Sequence, residues 1–120
     1  MKNETELGRL LRLRASELGV SLWRNNSGVA VNADGQPVRF GLGNESANLN
    51  KTMKSSDYIG LTSRGTFVAL ELKSATWSPK KFNEREMAQW NFHEHVRRNQ
   101  GIAGFVRSVA DMEQLFAGRI

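Results

Sequence analysis

Residues 66–74 read TFVALELKS, and this stretch decides the fold that the sequence predicts. A short apolar run bounded by turn residues is typical of a buried strand. Successive side chains of a strand point to opposite faces. One face then carries Phe67, Ala69, Glu71 and Lys73, and the other carries Val68, Leu70 and Leu72. Glu and Lys are rarely buried without partners, so this apolar strand ends in a candidate site at Glu71 and Lys73.

A helix is predicted at 4–18, because leucines recur there at helical spacing. Asn3 is a suitable N-cap, Glu6 completes a capping-box pattern with it, and Gly19 is a suitable stop. Glu4 lies at the margin of the apolar face of this helix, whereas Glu6 lies well off it. We therefore expect Glu4 to point toward the core and Glu6 to act as a cap.

The remaining elements surround the central strand. Strands are expected within 20–74, and the polar stretch 44–56 is expected to be a loop. A helix at 83–98, a strand near 104–108 and a short helix at 110–117 follow. These patterns predict a single domain over residues 1–120 with an α/β (α+β) fold. Its helices would flank a mixed central sheet in the order α-β-β-β-α-β-α.

Composition narrows the class of function. The chain has no cysteine, and its two histidines, His93 and His95, are too few for a zinc site. Any metal would therefore bind carboxylates, which favours hard cations such as Mg²⁺ or Mn²⁺. The net charge of +5 favours a polyanionic partner. No apolar run approaches the ~20 residues that span a bilayer, and the first residues do not resemble a signal peptide, so we expect a cytoplasmic protein without membrane contact.

The strongest chemical pattern joins Asp57 to Glu71 and Lys73. A turn at Ser63-Arg64-Gly65 would place Asp57 beside Glu71 on a neighbouring strand. Two carboxylates on adjacent strands can hold a divalent cation, which neutralises a phosphate and lowers the pKa of a bound water. A nearby lysine can stabilise developing negative charge. The alternative is a strand-end salt bridge between Glu71 and Lys73.

Other polar residues extend this candidate site. Gln89 shares a helix face with Phe92 and Val96, and a polar amide on an apolar face needs a partner. It could contact the metal-water cluster, or it could be a core glutamine that is satisfied within the protein. His93 and His95 are expected at surface or edge positions.

Several polar residues are candidates for contacts with phosphate. Arg24 can pair with a phosphate, and Asn25 and Ser27 can donate to phosphate oxygens. The same segment could instead be a polar turn. Lys51 and Lys54 in the 44–56 stretch are further candidates, and solvated loop lysines are the alternative.

Several segments match a known family in their order along the chain. They are the first-helix glutamate with its leucines, WRNNSG at 23–28, GLG at 41–43, SDYIG at 56–60, VALELK at 68–73, Gln89, and GIAGFV at 101–106. Taken together, these segments resemble the VRR-NUC family of the PD-(D/E)XK, or restriction-endonuclease-like, superfamily. Two departures stand out. Ser56 replaces the proline of the superfamily motif, and the 44–56 stretch is longer than the expected glycine-rich link.

The resemblance implies Asp57 and Glu71 as ligands of Mg²⁺ or Mn²⁺, with the Leu72 carbonyl as a possible further ligand. It also implies that Lys73 is the catalytic lysine, that Gln89 is the helix glutamine and that Glu4 is the first-helix glutamate. Small members of the family suggest a homodimer that cuts branched DNA such as four-way junctions. A flap, nicking or single-strand nuclease, a DNA-binding module without activity, and a subunit of a larger nuclease or helicase complex remain alternatives.

Overall fold

A four-stranded sheet forms the centre of the chain in the computed structural model, which describes residues 4–120. A separate two-stranded hairpin stands beside it. The elements run in the order α1 (Glu4–Glu17), β1 (Ser21–Arg24), β2 (Gly28–Val31), β3 (Pro37–Phe40), α2 (Ala47–Thr52), β4 (Tyr58–Leu61), β5 (Phe67–Leu72), α3 (Glu84–Arg98), β6 (Ile102–Val106) and α4 (Val109–Phe116).

The central sheet is mixed, as the sequence predicts. Its strand order is β1-β4-β5-β6, in which β4 pairs antiparallel with both β1 and β5, and β6 pairs parallel with β5. The expected turn between β4 and β5 is present. The Thr62 amide donates to the Thr66 carbonyl at 3.0 Å, and Gly65 has a φ of 81°, a conformation that favours glycine. This turn brings the start of β4 beside the end of β5.

Helices cover both faces of the sheet. α1 and α4 pack on one face, in a core that includes Leu11, Leu70 and Phe116, each at most 1% exposed. α3 packs on the other face, where Phe92 and Val96 contact Ala69 and Ala103. The predicted face assignment of β5 is therefore confirmed. Burying each large aliphatic side chain contributes roughly 1.5–3 kcal/mol, so the two layers fix β5 firmly in the centre.

Close packing of α1 on β4 orients the N-terminal end of that helix. A Cβ atom at Gly8 would lie 2.1 Å from the Tyr58 hydroxyl oxygen, so only glycine allows this approach. Tyr58 directly follows Asp57, and Glu4 is one turn before Gly8. The helix thus carries Glu4 toward the Asp57 end of β4. The expected Asn3 cap lies outside the described residues.

The β2–β3 hairpin has little support from the rest of the domain. Its turn is closed by Asn32, whose amide donates to the Gln36 carbonyl at 2.9 Å. Four of its large apolar side chains are about half exposed or more: Val29 (52%), Val31 (72%), Val38 (46%) and Phe40 (46%). An isolated two-stranded hairpin is marginally stable in water, and this one leaves these apolar side chains largely exposed.

The structure corrects two expectations and extends a third. The 44–56 stretch is not wholly a loop, because it contains α2, whose N-cap Ser46 accepts a hydrogen bond from the Leu49 amide. This six-residue helix has no apolar repeat and packs against α3, so tertiary contact stabilises it. The order of elements broadly agrees with the predicted one, and the segment before α3 contains two strands and α2 in addition. Strand β6 begins two residues earlier than expected.

No helix among residues 4–120 is long and apolar enough to cross a membrane.

Candidate functional site

Asp57 and Glu71 are neighbours at one end of the antiparallel pair β4–β5. The register aligns Tyr58 with Leu70, so the next positions outward are Asp57 and Glu71. The Asp57 amide donates to Glu71 Oε1 at 3.2 Å, and the Leu72 amide donates to Asp57 Oδ2 at 2.9 Å. Each carboxylate is thus held by the backbone of the other strand. The juxtaposition expected from the predicted turn is present.

Two polar clefts meet at Asp57. The basic cleft has a volume of about 210 Å³, and residues that line it include Asp57, Glu71, Gln89, Arg39, Lys54 and Arg85. The α1 cleft has a volume of about 220 Å³, and residues that line it include Glu4, Arg24, Asn25, Ser27, Asp57 and Leu72. Asn25, Ser27, Asp57 and Arg85 line both. The carboxylate pair therefore faces a continuous polar surface.

Glu71 is in an environment that opposes a negative charge. It is 6% exposed, and burial together with the adjacent charge and hydrogen bond of Asp57 raises the pKa of Glu71 to about 9. The positive charge of Lys73 acts in the opposite direction but is outweighed. A buried carboxyl beside a second carboxylate will keep a proton or bind a cation. This donor pair therefore fits a hard divalent cation.

A divalent cation at Asp57 and Glu71 would need further ligands besides these two carboxylates. The part of the chain from Glu4 onward contains no group of three or more His, Cys, Asp or Glu side chains placed to hold a metal. Asp57 and Glu71 form a pair, and Leu72, whose carbonyl is the expected further oxygen, lines the α1 cleft. A Mg²⁺ or Mn²⁺ ion at this pair would draw its other ligands from main-chain, amide or water oxygens.

Gln89 lines the same cleft as the carboxylate pair and is hydrogen-bonded to Lys73. It is 2% exposed and lines the basic cleft with Glu71. Its Oε1 accepts a hydrogen bond from Lys73 Nζ at 3.2 Å. This buried amide therefore has a partner within the protein, which agrees with the second of the two alternatives, and the position of Gln89 on the same helix face as Phe92 and Val96 is confirmed.

Lys73 is hydrogen-bonded to Gln89 and lines neither the basic cleft nor the α1 cleft. Its Nζ is 3.5 Å from Glu86 Oε2, so the ion pair is with Glu86 and not with Glu71. Its Nζ lies 5.5 Å from the ring centroid of Trp77 and 5.3 Å from that of Phe105. The side chain is only 15% exposed. The predicted catalytic lysine thus packs against aromatic rings, binds Gln89, and lines a separate, larger cleft of about 1020 Å³ beside α1.

His93 supports the site from inside the core, contrary to the expected surface or edge position. It is 0% exposed, and its Nε2 lies 2.8 Å from the hydroxyl of Ser56, the residue before Asp57. Burial, followed by the charges of Arg97 and Lys73, lowers the pKa of His93 to about 3, so the ring is neutral. His93 lies four residues after Gln89, and this helical spacing was the signal for burial. His95 is exposed, as expected.

Glu4 is exposed and does not point into the core, contrary to expectation. It lines the α1 cleft with Asp57 and Leu72. The expected proximity to the carboxylate pair is therefore present, at the rim of the cleft.

The predicted phosphate contacts divide into three groups. Arg24 and Ser27 are exposed and line the α1 cleft, and Lys54 lines the basic cleft. Asn25 has a structural role, because its amide N–H donates to the Asp57 carbonyl at 2.7 Å and its Nδ2 donates to Ser55 Oγ and to the Ser56 carbonyl. Lys51 is exposed on α2 and lies outside both clefts.

Sequence reasoning missed two cations of the basic cleft. Arg85 precedes Gln89 by four residues on α3, so helical spacing could have placed it on this side. Arg39 is on β3, and Asn44 fixes its guanidinium through its carbonyl, 2.8 Å from Arg39 Nε, and through its side-chain oxygen. Asn44 also donates to the carbonyls of Gly28 and Phe40, so this buried residue ties the hairpin to the cleft.

No family model matches the chain, and comparison with curated proteins and with solved structures finds no match either. The resemblance to the VRR-NUC family therefore stays a prediction from the residues.

Proposed function

We propose that this chain is a metal-dependent endonuclease that hydrolyses phosphodiester bonds in branched DNA, with Asp57 and Glu71 as the ligands of Mg²⁺ or Mn²⁺. The observation that carries the proposal is the buried Glu71 carboxyl held against Asp57 at the mouth of a cleft lined by Arg39, Lys54 and Arg85. The carboxylates suit a cation, and the basic side chains suit a polyanion.

The proposed chemistry assigns a role to each residue of the site. When bound, Mg²⁺ or Mn²⁺ would supply charge against the scissile phosphate and a more acidic water. Asp57 and Glu71 are held by backbone amides, so little reorganisation is needed to present their oxygens. Gln89 lines the cleft and holds Lys73 Nζ, whose charge favours the ionised form of Glu71. Glu4 supports the network from the rim of the α1 cleft.

We also propose that the chain acts as a homodimer. A four-way junction is cut on two symmetry-related strands, so a chain with one site needs a two-fold partner. The exposed apolar side chains of the β2–β3 hairpin support this proposal, since a second copy would remove them from water.

A DNA-binding module without catalysis is the second candidate. The observation in its favour is the position of Lys73, which lies among Trp77, Phe105 and Glu86 and lines neither the basic cleft nor the α1 cleft. In this case the basic cleft would bind DNA, and the carboxylate pair would only stabilise the end of the β4–β5 hairpin.

Cleavage of a labelled four-way DNA junction, compared with a linear duplex and a fork, tests the proposal with Mg²⁺, Mn²⁺ or EDTA. Wild type is compared with Glu71→Gln, which is nearly isosteric, and with Glu17→Gln, an exposed control at the far end of α1. We expect metal-dependent paired nicks near the branch point, lost in Glu71→Gln but retained in Glu17→Gln, with junction binding kept by both.

Other outcomes distinguish the rivals. Single nicks on the fork, without paired nicks on the junction, would point to the flap or nicking alternative with the same centre. Tight junction binding without cleavage in either metal would contradict the enzyme proposal and favour the binding module.

A further inference from the structure

Three cations converge in the basic cleft on the side of Asp57 away from α1. Arg39, Lys54 and Arg85 come from β3, from the segment after α2 and from α3. These positive charges repel one another. The acidic side chains that line the same cleft are Asp57 and Glu71, so the cations outnumber the acidic groups. The charges of Arg85 and Arg39 add to burial in lowering the pKa of Lys54, which indicates that the three are close.

The three cationic side chains differ in the hydrogen-bond partners that the protein itself provides. Arg39 is held by Asn44, and Lys54 donates to Asn50 Oδ1. The guanidinium of Arg85 has no hydrogen bond or ion pair with any residue from 4 to 120. A guanidinium has five N–H donors that match the oxygens of a phosphate. Arg85 is therefore the cation that can give most of its donors to a ligand.

Arg85 also lies where the two clefts meet. It lines both of them, as Asp57 does. A polyanion that presents one phosphate to Asp57 and Glu71 would bring its next phosphate along one of these clefts. The basic cleft carries Lys54 and Arg39 in addition to Arg85, whereas Arg24 is the further cation that lines the α1 cleft.

We infer that Arg85 and Lys54 form a phosphate-binding subsite in the basic cleft, which takes the backbone phosphate adjacent to the one presented to Asp57 and Glu71. Arg39 contributes charge from a fixed position and does not need to contact the ligand. The subsite rests on the proposed function and adds to it the positioning of the nucleic-acid strand. Arg85 fixes the register of the strand, and the carboxylate pair acts on the bond.

Equilibrium binding of a labelled four-way DNA junction in EDTA, measured by fluorescence anisotropy over a range of salt, tests this inference without catalysis. Arg85→Gln removes the charge, Arg85→Lys keeps the charge without the paired donors, and Arg64→Gln is the matched control. Arg64 is exposed in the turn at the opposite end of β4. All three variants are first checked for the wild-type unfolding midpoint.

We expect Arg85→Gln to weaken binding about tenfold and to reduce the slope of log affinity against log salt by about 1. Arg85→Lys should keep the wild-type slope with weaker affinity, and Arg64→Gln should match the wild type. In cleavage assays, Arg85→Gln should raise KM more than it lowers kcat.

An unchanged slope and affinity in Arg85→Gln, with cleavage by the wild type intact, would overturn the subsite and leave the proposed function standing. An equal loss in Arg64→Gln would also overturn it, because it would show a general effect of charge. If the wild type cleaves no DNA yet Arg85→Gln lowers the slope, the nuclease proposal fails and the subsite stands. Absence of any binding by the wild type would overturn both.

Discussion

Glu71 accepts a hydrogen bond from the backbone amide of Asp57 at 3.2 Å, so the strand that carries one carboxylate positions the other. The return contact runs from the Leu72 amide to Asp57 Oδ2 at 2.9 Å. Two carboxyl groups are therefore kept together by the β4–β5 register and not by an intervening cation of the protein. Repulsion arises when Glu71 ionises, so the stability of this pair should depend on pH and on metal ions.

Stability should fall with rising pH because of Glu71. Its pKa of about 9 in the folded protein exceeds the ordinary value of 4.5, so the folded state binds more protons between these two values. The stabilising contribution is complete below pH 4.5 and is lost as pH rises toward 9. Urea denaturation in EDTA should show a decline of at most about 1.4 kcal/mol per pH unit, and Glu71→Gln should remove it. Parallel pH curves for the two proteins would contradict this assignment.

Mg²⁺ or Mn²⁺ should reverse that alkaline loss. A cation that binds only the folded state stabilises it by about 2.7 kcal/mol at a hundredfold excess over Kd. Because binding requires ionised carboxylates, the rise in Tm should be larger at alkaline than at acidic pH. Thermal unfolding with and without each metal measures the effect. Glu71→Gln and Asp57→Asn should lose it, whereas Glu17→Gln should keep it, and an equal rise in all four proteins would exclude this pair as the metal site.

Much of the arrangement of the candidate site could be predicted from the sequence, because the face on which a side chain lies depends on its position within its own strand or helix. The alternation of β5 identified the faces of Glu71 and Leu70, and the Gly65 turn identified the partner strand. Gln89 was found by helical spacing on an apolar face. In each case, a pattern within a few neighbouring residues indicated which side chains lie on the same surface.

The errors have a common physical cause in long-range contacts. His93 is buried with its ring hydrogen-bonded to Ser56, which is 37 residues away, and a polar helix segment does not reveal this contact. The ion-pair partner of Lys73 is Glu86 on another element. Arg39 enters the basic cleft because Asn44 fixes a hairpin whose position no local pattern determines.

Acid should destabilise the protein through His93. Its pKa of about 3 in the folded state is below the ordinary 6.5, so the unfolded state binds more protons between these values. The contribution of the neutral His93 ring to the free energy of unfolding is complete above pH 6.5 and is lost as pH falls toward 3. His93→Gln should flatten this part of the curve, because Gln reaches Ser56 but does not titrate.

Above pH 4.5, Glu71 lowers the free energy of unfolding as pH rises, whereas His93 raises it. The His93→Gln variant is therefore best compared with wild-type His93 in proteins that also carry Glu71→Gln. His95→Gln, on the same helix but exposed, is the control and should leave the acid limb unchanged. A His93→Gln curve that keeps the full acid slope would show that His93 is not the titrating group.

The hairpin should mediate self-association. Val29 and Val31 lie two residues apart on β2, on one face of the hairpin, and are 52% and 72% exposed. Replacing both with Lys should convert a dimer to a monomer in light scattering, because two buried charges per chain would oppose the interface. Leu13→Lys on α1, where Leu13 is 54% exposed, is the control and should stay dimeric. A wild type that is monomeric at all accessible concentrations would remove the homodimer from the proposal.

Variants of Lys73 test whether its ammonium group takes part in catalysis, and the small exposed fraction of this side chain (15%) requires a control for stability. Lys73→Met keeps an unbranched stem between Trp77 and Phe105 but removes the partner of Glu86 and Gln89, which should cost about 1–3 kcal/mol. Glu86→Gln breaks the same ion pair, keeps a capping-box residue after Asn83 and leaves the lysine in place.

If the charge of Lys73 assists the reaction, Lys73→Met should lower junction cleavage roughly 10²–10³-fold while binding in EDTA is kept. Glu86→Gln should lose comparable stability but cleave within about tenfold of the wild type, since it does not remove the ammonium group. Both variants are assayed well below their unfolding midpoints. Equal losses of cleavage in the two variants would show that Lys73 acts only by holding α3 against the end of β5, and the catalytic assignment would then rest on Asp57 and Glu71 alone.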